Sequence, residues 1–172
     1  MKAHGLRGSD FENRINQTLA LYREKKLGLI QKIPTPITPI NLDKKNMHIT
    51  LAYFNKKSTV DYIGVVQEIP VCFDAKECNT DIFRLSNIHK HQYEFMKEFE
   101  EQGGVSFLLI LYSKKQIVLY LPFRKLDFFM NRAKNDKKSF SIDEIDDEYF
   151  INVDDKILIP FLDKLDYDLN NR

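Results

Sequence analysis

The sequence predicts one α/β domain in which helices and strands alternate along 172 residues. Three observations carry that expectation. Residues 58–78, STVDYIGVVQEIPVCFDAKEC, read as two strands rich in Val, Ile, Tyr and Phe that close into a hairpin. The run VSFLLILY at 105–112 is almost wholly apolar, as a strand buried on both faces should be. Apolar residues also recur at helical spacing in three windows: Phe11, Ile15, Leu19 and Tyr22; Ile88, Phe95, Met96 and Phe99; Phe123, Leu126, Phe129 and Met130. With 13 Phe and 8 Tyr for bulk, the chain can build one sizeable core.

Several function classes drop out early. The apolar run at 105–112 is too short to cross a bilayer, so no membrane partner is expected. Met1-Lys2-Ala3-His4 lacks the apolar segment of a secretory signal. Cys72 and Cys78 lie at neither metal-ligand nor redox-motif spacing, which suits a reducing, cytoplasmic setting. No P-loop or internal repeat is present, so nucleotide-driven work is not expected. The net charge of +1 hides an asymmetry: residues 139–172 hold ten acids against three bases, a net of −7, leaving +8 on residues 1–138. Such a division permits a basic binding face with an acidic C-terminal region held away from phosphates. An ordinary domain with an acidic tail explains the charge equally well.

Taken in order, Ser9 is a good helix N-cap, with Glu12 placed to complete a capping box. Gly28, after Lys25-Lys26, marks the helix end. Arg7 in the lead-in could touch phosphate or serve solubility. Residues 29–33 form a short strand ended by Pro34, and Pro34, Pro36 and Pro39 carry an extended segment outward. From 37 to 57 the pattern is neither helical nor alternating, and so long a connection in a compact domain is functional or disordered. The hairpin strands, at 60–66 and 70–76, turn at Gln67-Glu68, so Asp61 faces Asp74 and alternation puts Lys76 on their side. Opposed carboxylates destabilise a sheet unless positive charge lies between them. Lys76 is one source of that charge and a divalent metal is another; a solvated ion cluster is the plainer alternative.

Ser86 or Asn87 can cap the next helix, which Gly103-Gly104 ends. Gln92 falls on its inner face, and a buried amide needs partners. His89 and His91 have no third ligand at zinc spacing and read as exposed polar or phosphate-contacting residues. A further strand is expected at 116–121, and the helix after it fades into 134–138. Beyond 139 the pattern, interrupted by Pro160, suggests no chemistry.

The Asp61…Asp74-x-Lys76 pattern resembles the Asp…(Asp/Glu)-x-Lys signature of the PD-(D/E)XK nuclease superfamily. STVDYIGV…FDAKE, NIHKHQ at 87–92, RGSDFENRIN at 7–16 and KIPTPI at 32–37 resemble, in order, blocks of the RecU family of Holliday junction resolvases. The likeness thins beyond Phe140. It implies a restriction-endonuclease-like fold: a mixed β-sheet flanked by helices, with a projecting stalk at 34–57 inserted between the first two core strands. It also implies a homodimer that makes paired nicks in four-way junction DNA during recombination and repair, with recombinase or branch-migration proteins as partners. By the same likeness Asp61 and Asp74 hold Mg²⁺, with Mn²⁺ as substitute, while Thr59, the Ala75 carbonyl and Gln92 complete the metal shell. Lys76 then orients the nucleophile and Glu12 approaches from the first helix. Arg7, His89 and the stalk cations Lys44, Lys45, Lys56 and Lys57 contact DNA. Two departures stand out: the second acid is Asp74 where many such sequences have Glu, and the stalk is poor in arginine. The alternatives are another endonuclease of the superfamily, restriction- or repair-like, and a catalytically silent protein that binds branched DNA.

Overall fold

A computed structural model of the chain describes residues 7–54, 59–153 and 158–172, with backbone alone for 7–9. Helix α1 (Arg7–Glu24) turns Phe11, Ile15, Leu19 and Tyr22 into the core, as their spacing requires. Its start differs from expectation. The helix is already formed at Arg7, so Ser9 lies inside it. The end differs too. The Leu27 N–H donates to the Tyr22 carbonyl at 2.8 Å, and Lys26 takes the left-handed φ of 58° commonly given to glycine. Gly28 only follows.

Strand β1 (Leu29–Lys32) leads through the prolines to β2 (Ile37–Asp43) and β3 (His48–Phe54), which pair antiparallel. The chain returns in β4 (Tyr62–Val66) and β5 (Ile69–Cys78). Gln67 and Glu68, with φ of 45° and 73°, make the two-residue turn between them, whose sign matches the twist of a hairpin. Val66 pairs with Ile69 and Tyr62 with Phe73, so Asp61, one residue before β4, comes opposite Asp74 as expected. After β6 (Ile82–Arg84) and a 3₁₀ turn at 85–87 come α2 (Lys90–Glu101), β7 (Val105–Tyr112), β8 (Ile117–Pro122) and α3 (Phe123–Arg132). The expected cap residues Ser86 and Asn87 belong to the 3₁₀ turn, and His89 caps α2 instead. Short strands β9 (Ser139–Ser141) and β10 (Phe150–Asn152) and helix α4 (Leu162–Asn170) complete the order.

Six strands form one mixed sheet in the order β1-β4-β5-β7-β8-β10, in which β5 and β7 run parallel and the other pairs antiparallel. Every residue of β7 is buried. On the α1 side, Tyr62, Phe73, Phe107 and Tyr120 stack in sequence across four strands, with ring centroids 4.6, 4.8 and 4.3 Å apart. Alternation sends Asp74, Ser106 and Leu108 to the opposite face, where Ser106 Oγ donates to the Met96 carbonyl of α2 at 3.0 Å. Gly64 lets β1 approach β4, since a Cβ there would sit 2.2 Å from the Leu29 carbonyl oxygen.

Two regions depart from the sequence pattern. Residues 37–54, read as patternless, are a β-hairpin. Register shifts on either side of Asn41 break the alternation that would have announced it. The C-terminal region is no acidic tail. β10 pairs with β8, and Ile159, Phe161 and Leu165 are buried. Its acids meet the cations of α3 and the segment after it: Glu144 accepts from Arg132 at 2.5 Å and Lys137 at 2.7 Å, and Asp146 pairs with Lys125 at 2.7 Å. The hydrogen bond from Arg132, followed by that from Lys137, pulls the Glu144 carboxyl down to about 2. Asp168, fully buried, meets Arg124, Arg172 and the Tyr120 hydroxyl. Among the described residues, no helix is long and apolar enough to cross a membrane.

Candidate active site

The site forms where β5 runs on past the start of β4. Asp61 lies just beyond the ladder and uses its side chain where the backbone has ended: Oδ2 accepts the Ala75 N–H at 2.9 Å. The N–H and C=O of one strand residue project to the same side. The Ala75 carbonyl is therefore aimed at the same open edge. The Asp61 N–H donates to Asp74 Oδ1 at 3.2 Å, which locks the two acids together.

Asp74 is fully buried. Its Oδ1 also accepts from Gln92 Nε2 at 2.8 Å. The Lys76 ammonium abuts Oδ2 as an ion pair, and no other donor reaches this buried oxygen. Burial pushes the Asp74 carboxyl up to about 7; Lys76 opposes that rise and the charge of Asp61 adds to it. Two carboxylates against a single ammonium leave net negative charge in a largely buried place, which is costly. A cation seated between Asp61 and Asp74 relieves it. Two carboxylates and a backbone carbonyl are hard oxygen donors, which fit Mg²⁺ or Mn²⁺. Among the described residues, no group of three or more His, Cys, Asp or Glu comes together as a metal site, so the donors here are the two carboxylates and the backbone carbonyl.

Gln92 points inward as its helical position requires, but its amide orientation is decided by α2. Its Oε1 accepts the His89 N–H at 3.1 Å, satisfying one free donor of the helix start and leaving the NH₂ for Asp74. In this arrangement Gln92 holds a carboxylate rather than offering an oxygen to a metal. The His89 and His91 rings stack at the same helix start, with centroids 5.4 Å apart. Thr59 lies exposed, two residues before Asp61.

Glu12, expected to approach from the first helix, has a basic partner on the sheet. It pairs with Lys32, the cross-strand partner of Tyr62, and so sits against the sheet face opposite Asp74. The buried Tyr62 hydroxyl donates to Asn16 Oδ1 at 3.2 Å. Burial first, then the negative charges of Glu12, Asp61 and Asp74, raise its pKa. Glu12, Asp61 and Asp74 thus all act on the Tyr62 hydroxyl, while the ion pair of Glu12 is with Lys32. Lys32 was invisible in the sequence, because nothing local to it specifies a pairing across 20 residues. Lys44 and Lys45 lie exposed in the turn between β2 and β3. Asp43 Oδ1 accepts the N–H groups of Lys45 and Asn46 at 3.0 and 3.2 Å, which preorganises that turn. The expected DNA contacts Lys56 and Lys57, and the side chain of Arg7, lie outside the described residues.

Comparison with known proteins finds relatives over most of the chain. The family described as Recombination protein U matches residues 6–167. The Holliday junction resolvase RecU of Staphylococcus aureus strain MRSA252 is 40% identical over 147 residues, which are 83% of this chain and 71% of that protein. Its counterpart in strain JH9 is 39% identical over the same lengths. Among solved structures, the Archaeoglobus fulgidus Holliday junction resolvase Hjc covers 84% of this chain and 98% of its own, at a TM-score of 0.43 and 9% identity, a likeness too loose to argue from. With a family match that spans nearly its whole length and relatives at this identity, the chain belongs to the Recombination protein U family.

Proposed function

We propose that the protein is a Holliday junction resolvase, a divalent-metal-dependent endonuclease that nicks four-way DNA junctions. The observation that carries this reading is the fully buried Asp74, bonded to Asp61 through Oδ1 and paired with Lys76 through Oδ2. Asp61, Asp74 and the Ala75 carbonyl would hold Mg²⁺ or Mn²⁺. When bound, that ion supplies a Lewis acid for the phosphodiester and neutralises charge that develops during in-line displacement. Gln92 keeps Asp74 in its rotamer through Oδ1, which leaves Oδ2 for the ion. Lys76, beside Asp74, would turn its ammonium to the attacking water and the phosphoryl oxygens. The shorter arm of Asp74 suits a site already tightened by the Asp61 N–H contact. Resolution needs two nicks, and a two-fold homodimer brings two such sites to one junction.

The β2–β3 hairpin supports junction choice. It projects from the sheet with Lys44 and Lys45 at its tip, and its apolar residues Leu42, Ile49, Leu51 and Tyr53 are exposed. Leu42 pairs with Ile49, and Leu51 and Tyr53 alternate to one face of β3, the two couples being separated by the register shift at Asn41. This apolar surface fits unpaired or unstacked bases at the open centre of a junction, while the tip cations meet phosphate.

The test is nicking of a synthetic four-way junction in Mg²⁺ beside linear and nicked duplexes. The wild type should nick the junction in preference. Asp61→Asn and Asp74→Asn should lose cleavage by about a thousandfold, roughly 4 kcal/mol of barrier, and still bind the junction. Cleavage of either variant at the wild-type rate would sink the site assignment; binding without metal-dependent nicking by the wild type would leave a silent branched-DNA binder.

A further inference from the structure

The acids of the C-terminal region neutralise their neighbouring cations selectively. Arg124, Lys125, Arg132 and Lys137 each meet a carboxylate. Arg84, Lys134 and Lys138 do not, and these three line one pocket of about 550 Å³ beside the segment that leads into α2. No acid lines this pocket. Lys134 Nζ donates only to the Asn131 amide oxygen, at 2.7 Å; among the described residues, Arg84 and Lys138 have no acidic partner. All three are exposed, and three like charges gathered round one pocket without a counter-ion repel one another unless an anion is shared among them.

The pocket is built rather than incidental. Arg84 and Ser139 are cross-strand partners in the β6–β9 pair, and the next pair along, Phe83 with Phe140, is fully buried on the other face. Alternation therefore turns Arg84 and Ser139 outward together. The Leu85 N–H donates to the Lys138 carbonyl at 3.1 Å, which fixes Lys138 beside them. Leu85, Met130 and Ala133 make an apolar floor under this cationic rim. A free phosphate has no use for such a floor, whereas a sugar–phosphate backbone presents an anion and an apolar deoxyribose face side by side. Ser86, on the wall, is three residues from His89, at most roughly 11 Å of chain. The pocket wall is therefore within about three nucleotide steps of the start of α2, at 3.4 Å of rise per strand.

We propose that this pocket is a phosphate seat for the DNA strand flanking the cut, held by Arg84, Lys134 and Lys138. The proposal rests on the reading of the protein as a junction-binding nuclease. It adds a second grip on a duplex arm, distinct from both the metal site and the hairpin. Because it meets backbone, it acts alike on junction arms and on linear duplex.

The test uses the full chain in metal-free buffer, with affinity for a four-way junction and for a linear duplex measured across a salt series. Arg84→Gln with Lys138→Gln removes two contacts and should lower the slope of log affinity against log salt by about two, on both DNAs. Arg84→Lys with Lys138→Arg should restore most of it. A charge-matched control, Lys25→Gln with Lys26→Gln at the end of α1, should keep the wild-type slope. An unchanged slope in the pocket variant, or an equal fall in the control, would overturn the proposal. So would loss of inorganic phosphate binding, followed by thermal shift, with DNA slopes intact, since the pocket would then serve a small phosphorylated ligand. Nicking by the wild type is scored separately, so failure of the resolvase reading is visible while the slopes still report on the pocket.

Discussion

Strands β3 and β7 are written in nearly the same alphabet and meet opposite fates. HITLAYF and VSFLLILY are both rich in Ile, Leu, Tyr and Phe, and both form strands. Every residue of β7 is buried, and every residue of β3 is exposed. β-Propensity made both into strands, but it says nothing about what will cover them. β7 has β5 and β8 as neighbours and α2 and α3 against it. β3 has only β2. The difference matches the division of labour proposed above: the buried sheet holds the cutting site rigid, and the uncovered hairpin keeps apolar surface available for DNA.

The comparison breaks most sharply under matched truncations. Leu109→Ala in β7, a residue with no exposure, should cost about 2–5 kcal/mol of stability by leaving a cavity. Leu51→Ala in β3, half exposed, should change it by no more than about 0.5 kcal/mol. Chemical denaturation measures both; equal losses would mean that the hairpin folds against something and is not free.

A smaller effect tests the site strand itself. In the folded, metal-free protein the Asp74 carboxyl is raised to about 7 by burial, above its ordinary 3.8. Between those values the folded state holds a proton that the unfolded state has lost. The stability tied to that proton is complete below about pH 4 and is gone once the pH passes about 7. Asp74→Asn should therefore be more stable than the metal-free wild type at pH 8, by about 1–3 kcal/mol, and the gap should close towards pH 4. Mg²⁺ should then raise the melting temperature of the wild type but not of the variant. A variant less stable than wild type at pH 8 would mean that the ion pair with Lys76 outweighs burial.

Replacing 38–55 with a tight turn should lower junction affinity tenfold or more, about 1.4 kcal/mol, while duplex affinity and thermal stability stay near wild type. Parallel loss on both DNAs would make the hairpin a general phosphate contact and leave junction choice to the dimer. The smallest change expected is at the turn that sets Asp61 opposite Asp74. Glu68 takes a φ of 73°, which glycine adopts without penalty. Glu68→Gly should therefore stabilise by about 0.5–1 kcal/mol, read as a higher denaturation midpoint with cleavage unchanged.

Much of the site was legible before any coordinates. A two-residue turn leaves a hairpin essentially one register, so the opposition of Asp61 and Asp74 follows from the spacing of Val66, Gln67, Glu68 and Ile69 alone. Helical period likewise turned Gln92 inward, and an unbroken apolar run marked β7 as central. These are local rules acting over a few residues. What tertiary structure decided lies further apart in the chain. Glu12 found Lys32 on the far side of the sheet, and Asp168 found Tyr120 across 48 residues. The amide of Gln92 was oriented by the helix cap at His89. The acids beyond residue 139 became partners of α3 instead of a tail. In each case the pairing depends on which elements pack together, and a charged side chain carries no periodic signal that names its partner in advance. The hairpin at 37–54 shows the same limit from the other side: its bulges erased the period that local rules read, and only pairing across the turn made it a strand pair.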